Sequence, residues 1–356
     1  MLAGFLAAGA VRLTWLWAFR DNWDMGTYRQ FAEFAPRGGG LYRDIVSYHF
    51  SPVFAFLLAG IAGIASGIGM SFERGVGLVL LAADAVSALL VYRIARGNLG
   101  RPPLPASIAA LLFFSNPVSV FVTGFHLQFD NLAILFLLGA IALARPEKDP
   151  LRPSVLALLS GSLLFKHVTW FHPLLFARGR LGWRKLVALA VPYLVFFAVS
   201  FLPYWNVVGV TAKRIFGYAS LGEDYGTAML TKVPGMPSWA PAAVFLLAIA
   251  IAVFAFRRME IGRACLLLFL VILIFVPGVT EYYFVWPIAL GSLYAGAGYA
   301  LFTLLVSAFF LGSPDGLGLP IPHLPGWHGI WWGAVFWLLW ELRRSTAARP
   351  KAEARP

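Results

Sequence analysis

Arg20 to Pro52 reads RDNWDMGTYRQFAEFAPRGGGLYRDIVSYHFSP, between two apolar runs. It gathers four of the sixteen acidic residues, one of the six histidines and three tyrosines. That concentration stands out in a chain of 356 residues that is 60% hydrophobic and only 12% charged. Soluble domains run nearer a quarter charged, so one water-soluble core cannot hide this much apolar surface. Composition therefore sets the expected fold class: all-α, a polytopic transmembrane helical bundle, since a lipid-embedded backbone must satisfy its own hydrogen bonds. Arg20–Pro52 is then the first polar loop of that bundle. An ordinary solvated loop between two membrane helices accounts for its composition as well as a functional one does.

The net charge of +12 would suggest nucleic acid in a soluble protein. Here the basic residues fall in short clusters between apolar runs, the pattern of cytoplasmic loops. They are Arg93/Arg96/Arg101, Arg145/Lys148/Arg152, Arg178/Arg180/Arg184/Lys185, Arg257/Arg258/Arg263 and the tail from Arg343. Nucleic acid is excluded as a partner on that ground. The lone Cys265 lies in an apolar run, which rules out an intramolecular disulfide and speaks against redox chemistry. No basic region precedes Ala8-Gly9-Ala10, so an uncleaved first helix is expected.

Counting apolar runs gives about ten to thirteen membrane segments. They form one domain over 1–345, with external loops at 20–52 and 205–238 and a cytoplasmic tail at 346–356. The runs at 51–68 and 75–95 raise a parity problem. Two full crossings after an external loop would put residue 96 outside, against its flanking arginines. Either one of the two segments is re-entrant or the basic rule fails there. Inside the apolar runs, Arg12 should face the protein interior or snorkel, because a bare mid-membrane arginine is costly. Asp84 suits a structural pairing with Arg12 or another cation at least as well as catalysis.

The other polar features collect on the face opposite the basic clusters. FHLQFDN (125–131) puts His126, Gln128, Asp130 and Asn131 in one tight turn between apolar runs, a donor and acceptor set suited to a polyhydroxylated ligand. Helix capping would explain Asp130 and Asn131 but not His126 and Gln128. Lys166-His167 interrupts SLLFKHVTWFHPLLF, whose halves are too short to cross singly, so a broken helix lining a site is expected. Lysine there is a natural counter-ion for phosphate; snorkelling from a helix end is the plainer alternative. Arg214 lies in the loop 205–238, which could cover a site or bind acceptor or be a plain external loop. Glu281 stands beside Tyr282 and Tyr283, which fit an interfacial belt or a sugar-stacking wall. No metal motif, P-loop or dinucleotide fingerprint is present, so no metal and no cofactor are expected.

In order, these features resemble a family. An embedded Arg-Leu is followed by D-x-x-x-Y (Asp24, Tyr28), a Gly-rich turn with Leu41-Tyr42, and Tyr48-His49-Phe50-Ser51-Pro52 opening the next helix. This is similar to the GT-C fold of polytopic glycosyltransferases that use polyprenyl-phosphate sugars. GFHLQFDN is similar to the GHxQxD/N segment of their glucosyl- and mannosyltransferases, and Lys166-His167 falls where those chains place a lysine-centred break. The similarity covers about residues 10–290 in order; His49 and Ser51 depart from it, standing where the family often has Tyr and Pro.

The resemblance implies transfer of a mannose- or glucose-type hexose from a polyprenyl-phosphate donor, with inversion, to a glycan, lipid or protein acceptor. Asp24 would be the base, with Tyr28 and His49 beside it. Lys166, His167 or Arg214 would meet the phosphate, and His126, Gln128 and Asp130 would orient hydroxyls or phosphate. The expected location is a bacterial inner membrane, with the site on the periplasmic face. A transporter or lipid-linked sugar flippase is the alternative, since a broken helix and intramembrane charges also mark transport paths.

Overall fold

The computed structural model describes residues 2–18, 23–37, 40–144, 152–177, 183–216, 225–312 and 326–347. The described residues are helical or in turns, with no strand among them. Asp21, Arg145, Lys148, Arg178, Arg180, Glu223, Asp224 and the tail 348–356 lie outside the described residues. The chain divides into two compact units, Met1–Ala219 and Ser220–Pro356.

The first unit starts with α1 (Leu2–Ala18), α2 (Trp23–Phe34), α3 (Gly40–Arg43), α4 (Pro52–Gly67) and α5 (Phe72–Gly97). The stretch expected as a polar loop thus holds two helical segments, α2 and α3. In α2, Met25, Tyr28, Phe31 and Ala32 are buried, while Arg29, Gln30 and Glu33 are exposed. That is the spacing of an amphipathic helix. Half of its twelve side chains are apolar and are interleaved with charged and polar ones, so the average over the stretch hid the period. Glu33 and Asp44, for which the sequence suggested no role, are both exposed.

Helix α1 runs antiparallel to α5. Arg12 meets Asp84, and one turn of α1 further on Leu16 fills a notch at Gly77, where a Cβ would come within 2.1 Å of its methyl group. The short α4 covers only the first half of α5. Its first turn meets Phe129 through Phe54, ring centroids 4.9 Å apart, and its last turns pack Ile61 and Ala65 against Gly75. The two runs 51–68 and 75–95 are therefore unequal. Helix α5 extends on to Asn98, whose Nδ2 donates to the Ile141 carbonyl at 2.9 Å, and α4 reaches nothing at that end.

The next elements are α6 (Pro103–Phe114) and α7 (Pro117–Val120), followed by a π turn at Phe121–Phe125. The apolar run 105–124 is not one helix, because Pro117 cannot continue the hydrogen-bond ladder and the chain bends by 44°. Asn116 restarts it, its side chain accepting from Val118 N at 2.9 Å. Helices α8 (Asp130–Leu143) and α9 (Pro153–Phe165) form an antiparallel hairpin, with Ser162 Oγ donating to the Ala133 carbonyl at 2.6 Å. Then come α10 (Pro173–Phe176), α11 (Trp183–Val199) and α12 (Val208–Phe216), with a 69° bend between Val199 and Leu202.

The second unit holds α13 (Ala240–Phe256), α14 (Ile261–Phe275), α15 (Ile288–Leu293), α16 (Ala297–Gly312) and α17 (Gly326–Ala347). Trp337 of α17 packs into the gap left by Gly291 and Gly298. Glu260 caps α14, accepting from Gly262 N at 2.8 Å and Arg263 N at 2.9 Å. Glu341, fully buried, is answered by Arg344 at 3.1 Å and Arg263 at 3.8 Å.

Among the described residues one helix, α5, is long and apolar enough to cross a membrane, or up to three spans if each bent pair counts as one. The other apolar helices have 10–17 residues, so full-length helices do not reach the expected ten to thirteen. Prolines and polar turns cut the runs that composition had joined.

Candidate functional site

The turn 126–131 is the centre of the first unit. The π turn before it widens the helix by one residue, and Leu127, fully buried, adopts a left-handed conformation with φ 54°. A non-glycine residue there is strained, and such strain persists only where the surroundings impose it. Its effect is to aim neighbouring side chains at different elements. Gln128, Asp130 and Asn131 are all buried, and each has a different partner.

Gln128 faces α2. Its Nε2 donates to Asp24 Oδ2 at 2.6 Å, and its Oε1 accepts from the Tyr28 hydroxyl at 2.8 Å. Both partners agree on the same amide orientation, so the flip ambiguity of a glutamine is removed. Asp24 is half-buried in the first turn of α2, one turn before Tyr28. Asp130 faces α9. Its Oδ2 lies 3.1 Å from Lys166 Nζ, and both residues are buried. The capping alternative for Asp130 fails, because its side chain pairs with lysine and Phe129 takes the cap position without a side-chain bond.

Asn131 faces inward, donating to Asp84 Oδ1 at 2.7 Å. Asp84 is paired with Arg12, as the sequence suggested. Thr123 donates to Asp84 at 2.7 Å, and Arg12 donates to the Phe114 carbonyl at 3.0 Å and to Ser119 at 3.0 Å. This is a satisfied buried ion pair supporting the turn from below.

Lys166 breaks the chain as expected. Helix α9 ends at Phe165, Lys166 is extended with φ −153° and ψ 133°, and His167–Thr169 begins a new short turn. Around it lies a pocket of only about 10 Å³, lined by His49, Phe50, Lys166, His167, Trp170 and Ile215. That is room for about one water. Lys166 Nζ stands 5.5 Å from the Phe50 ring centroid, and the His49 and His167 rings are 6.5 Å apart. Arg214, half-buried in the last turn of α12, adjoins the pocket-lining Ile215.

A dense aromatic cluster binds the two halves of this region. Phe54 sits 5.4 Å from Tyr28 and 4.7 Å from Phe50, and Tyr42 sits 5.0 Å from Tyr48 and 5.2 Å from Tyr204. Three of these four pairs are edge-on and Phe50–Phe54 is tilted; such contacts add to area burial and hold the site on a stiff base.

The structure therefore brings Asp24, Tyr28 and Gln128 into one hydrogen-bonded set, and places the Lys166–Asp130 ion pair beside a small pocket that Lys166 shares with His49 and His167. They are joined through one turn. It does not place Gln128 and Asp130 on a common ligand surface, as their alternation had suggested. His126 is buried against Phe125, ring centroids 5.4 Å apart. Glu281 belongs to the second unit, half-buried at the start of the short turn Glu281–Val285, beside a Tyr283–Trp286 stack at 4.1 Å. Sequence reasoning placed Ser51 and Phe50 in the motif but gave them no role, and gave Trp170 none; the Ser51 hydroxyl donates to the Leu164 carbonyl and ties the opening stretch to the Lys166 break. Ser51 at the head of an apolar run was the available signal.

His49 shows how the pocket treats charge. Its Nδ1 lies 2.8 Å from the Ser47 carbonyl, so that nitrogen carries the proton. Burial, together with nearby Lys166, pushes the imidazole down to about 3. The ring is thus neutral when folded. An unfolded chain takes up a proton below pH about 6.5 that the folded chain refuses, so stability is full above that pH and erodes as pH falls toward 3. Between pH 7 and 5 the wild type should lose more thermal stability than His49→Gln, measured by melting in detergent. Equal losses would show that His49 does not set this acid sensitivity.

No family model matches the chain, and no curated protein shows significant similarity to it. The site must be read from its own chemistry.

Proposed function

We propose that the chain is a polytopic membrane glycosyltransferase. It moves a mannose- or glucose-type hexose from a polyprenyl-phosphate donor to a hydroxyl of a glycan, lipid or protein acceptor, with inversion. The observation that carries this reading is the turn 126–131, which couples Asp24 through Gln128 to one side and the Lys166–Asp130 pair to the other.

In this reading Asp24 takes the proton of the acceptor hydroxyl as its oxygen bonds to the anomeric carbon. The bond from that carbon to the phosphate oxygen breaks, and polyprenyl phosphate leaves with the electron pair. Gln128 and Tyr28 hold the carboxylate's neighbourhood in one orientation. Lys166 starts out neutralised by Asp130, so a phosphate would share or displace that partner, and Arg214 from α12 supplies a second cation. The water-sized pocket beside Lys166 must open to take a sugar phosphate.

The reading also removes the parity problem. If α1 crosses outward and α5 crosses back, with α4 turning at the outer half of α5, then Arg93, Arg96 and Arg101 lie inside, as basic clusters should. Loop 20–52 and turn 126–131 then share the periplasmic face of a bacterial inner membrane. The test is radiolabelled hexose transfer by purified protein in detergent, from a defined polyprenyl-phosphate sugar to a panel of acceptors. Product identifies a transferase; a transporter or flippase, with no compartments to work between, yields none.

A further inference from the structure

A cavity lies away from this site. It occupies about 780 Å³ between α5, α8 and α9, within the size range of small-molecule sites. Its walls are Val86, Leu90, Leu135, Leu143 and Leu158, and its far end carries Arg93 and Arg96. Both arginines are exposed. Arg96 gives one bond to the Arg101 carbonyl at 2.7 Å, and neither arginine has an acidic partner among the described residues. The end of the groove is closed by Asn98 on the Ile141 carbonyl at 2.9 Å.

Three features converge on one occupant. The groove follows α5 from Val86 to Gly97, about 16 Å at helical rise, which matches half of a bilayer core of ~30 Å. Its walls are apolar over that depth, with Val86 and Leu143 open at 48% and 44% exposure, so a chain can enter from the side. Its cations sit only at the end where headgroups would lie, and two guanidinium groups one turn apart can both bond a phosphate.

We propose that this groove binds an anionic phospholipid. One acyl chain lies along α5 and α8, and the phosphate is held by Arg93 and Arg96. This site is on the end of α5 opposite Asp24, so it is not part of the proposed transfer site. The inference rests on the membrane reading of the chain but not on glycosyl transfer. A chain that stays monodisperse without detergent would end the membrane reading by itself.

The experiment uses the full chain in mild detergent, with native mass spectrometry and thermal melting as readouts. The probes are phosphatidylglycerol, phosphatidylcholine and inorganic phosphate. Both lipids carry the phosphate, but the choline cation of phosphatidylcholine is repelled by the two arginines, so wild type should retain phosphatidylglycerol over phosphatidylcholine by about 30-fold, roughly 1 kcal/mol for each arginine. Arg93→Gln with Arg96→Gln should bring the two lipids level. Ala142→Phe, which fills the groove, should lower retention of both, whereas Ser107→Phe, in the neighbouring cavity of about 420 Å³, should change neither. Equal retention of the two lipids by wild type would overturn the proposal without recourse to any variant. So would selectivity unchanged in the double variant, or a thermal shift with inorganic phosphate as large as that with phosphatidylglycerol.

Discussion

Asp24→Asn should lower hexose transfer by about 10²–10⁴-fold, the usual contribution of a positioned base, while the protein melts within a few degrees of wild type. The structural reason for expecting both together is the bond from Gln128. Gln128 Nε2 donates to Asp24 Oδ2 at 2.6 Å, and an asparagine oxygen in the same place still accepts that bond. Tyr28 keeps its own bond to Gln128 at 2.8 Å. The substitution thus removes the charge and the proton affinity and leaves the local packing intact. Asp130→Asn should behave in the opposite way, since it strands the buried Lys166 ammonium and costs stability first. Steady-state transfer and thermal melting on both variants separate the two roles. Near-normal turnover by Asp24→Asn would remove Asp24 as the base.

The second large effect concerns folding. Arg12→Leu or Asp84→Leu alone should destabilise the protein by about 3–5 kcal/mol, because each leaves a buried charge without its counter-charge. That is a large part of the 5–15 kcal/mol that holds a typical domain together. The penalty should be steep here because neither residue can reach water: Arg12 is 2% exposed and Asp84 fully buried. Arg12 also donates to Phe114, Ser119 and Thr123, so its loss frees several acceptors at once. The double variant with leucine at both positions should recover much of the loss, since apolar replacement of a whole buried pair is often neutral or favourable. Thermal melts of the two single variants and the double variant form the cycle. Additive losses would show that the pair is not coupled.

Both effects start from residues that could be picked out of the sequence, for a shared physical reason. An ionisable group in an apolar run has to be answered, so Arg12 was one of the cations the sequence offered Asp84, and the fold selects it. Lys166 was legible as a break because the apolar lengths on either side were too short. Other features were not legible. The helical period of α2 was diluted by exposed polar residues, and a mean over the stretch reads as a loop. The fold-back of α4 depends on contacts with Gly75 and with Phe129, the second 75 residues from its partner Phe54. Pairing of Asp130 with Lys166 needs the α8–α9 hairpin to bring residues 36 apart together, so alternation along 126–130 gave the wrong grouping. Pro117 was visible, but an apolar average passes over a single proline.

The left-handed Leu127 has a consequence for how this sequence can change over generations. Because the turn sends Gln128 to α2, Asp130 to α9 and Asn131 to the Arg12–Asp84 pair, three separate partnerships hang on a stretch of four residues. A substitution at any of them is felt by a different helix, and none can drift unless its partner drifts with it. Homologous chains should therefore show paired replacement at 24 with 128, 130 with 166, and 12 with 84.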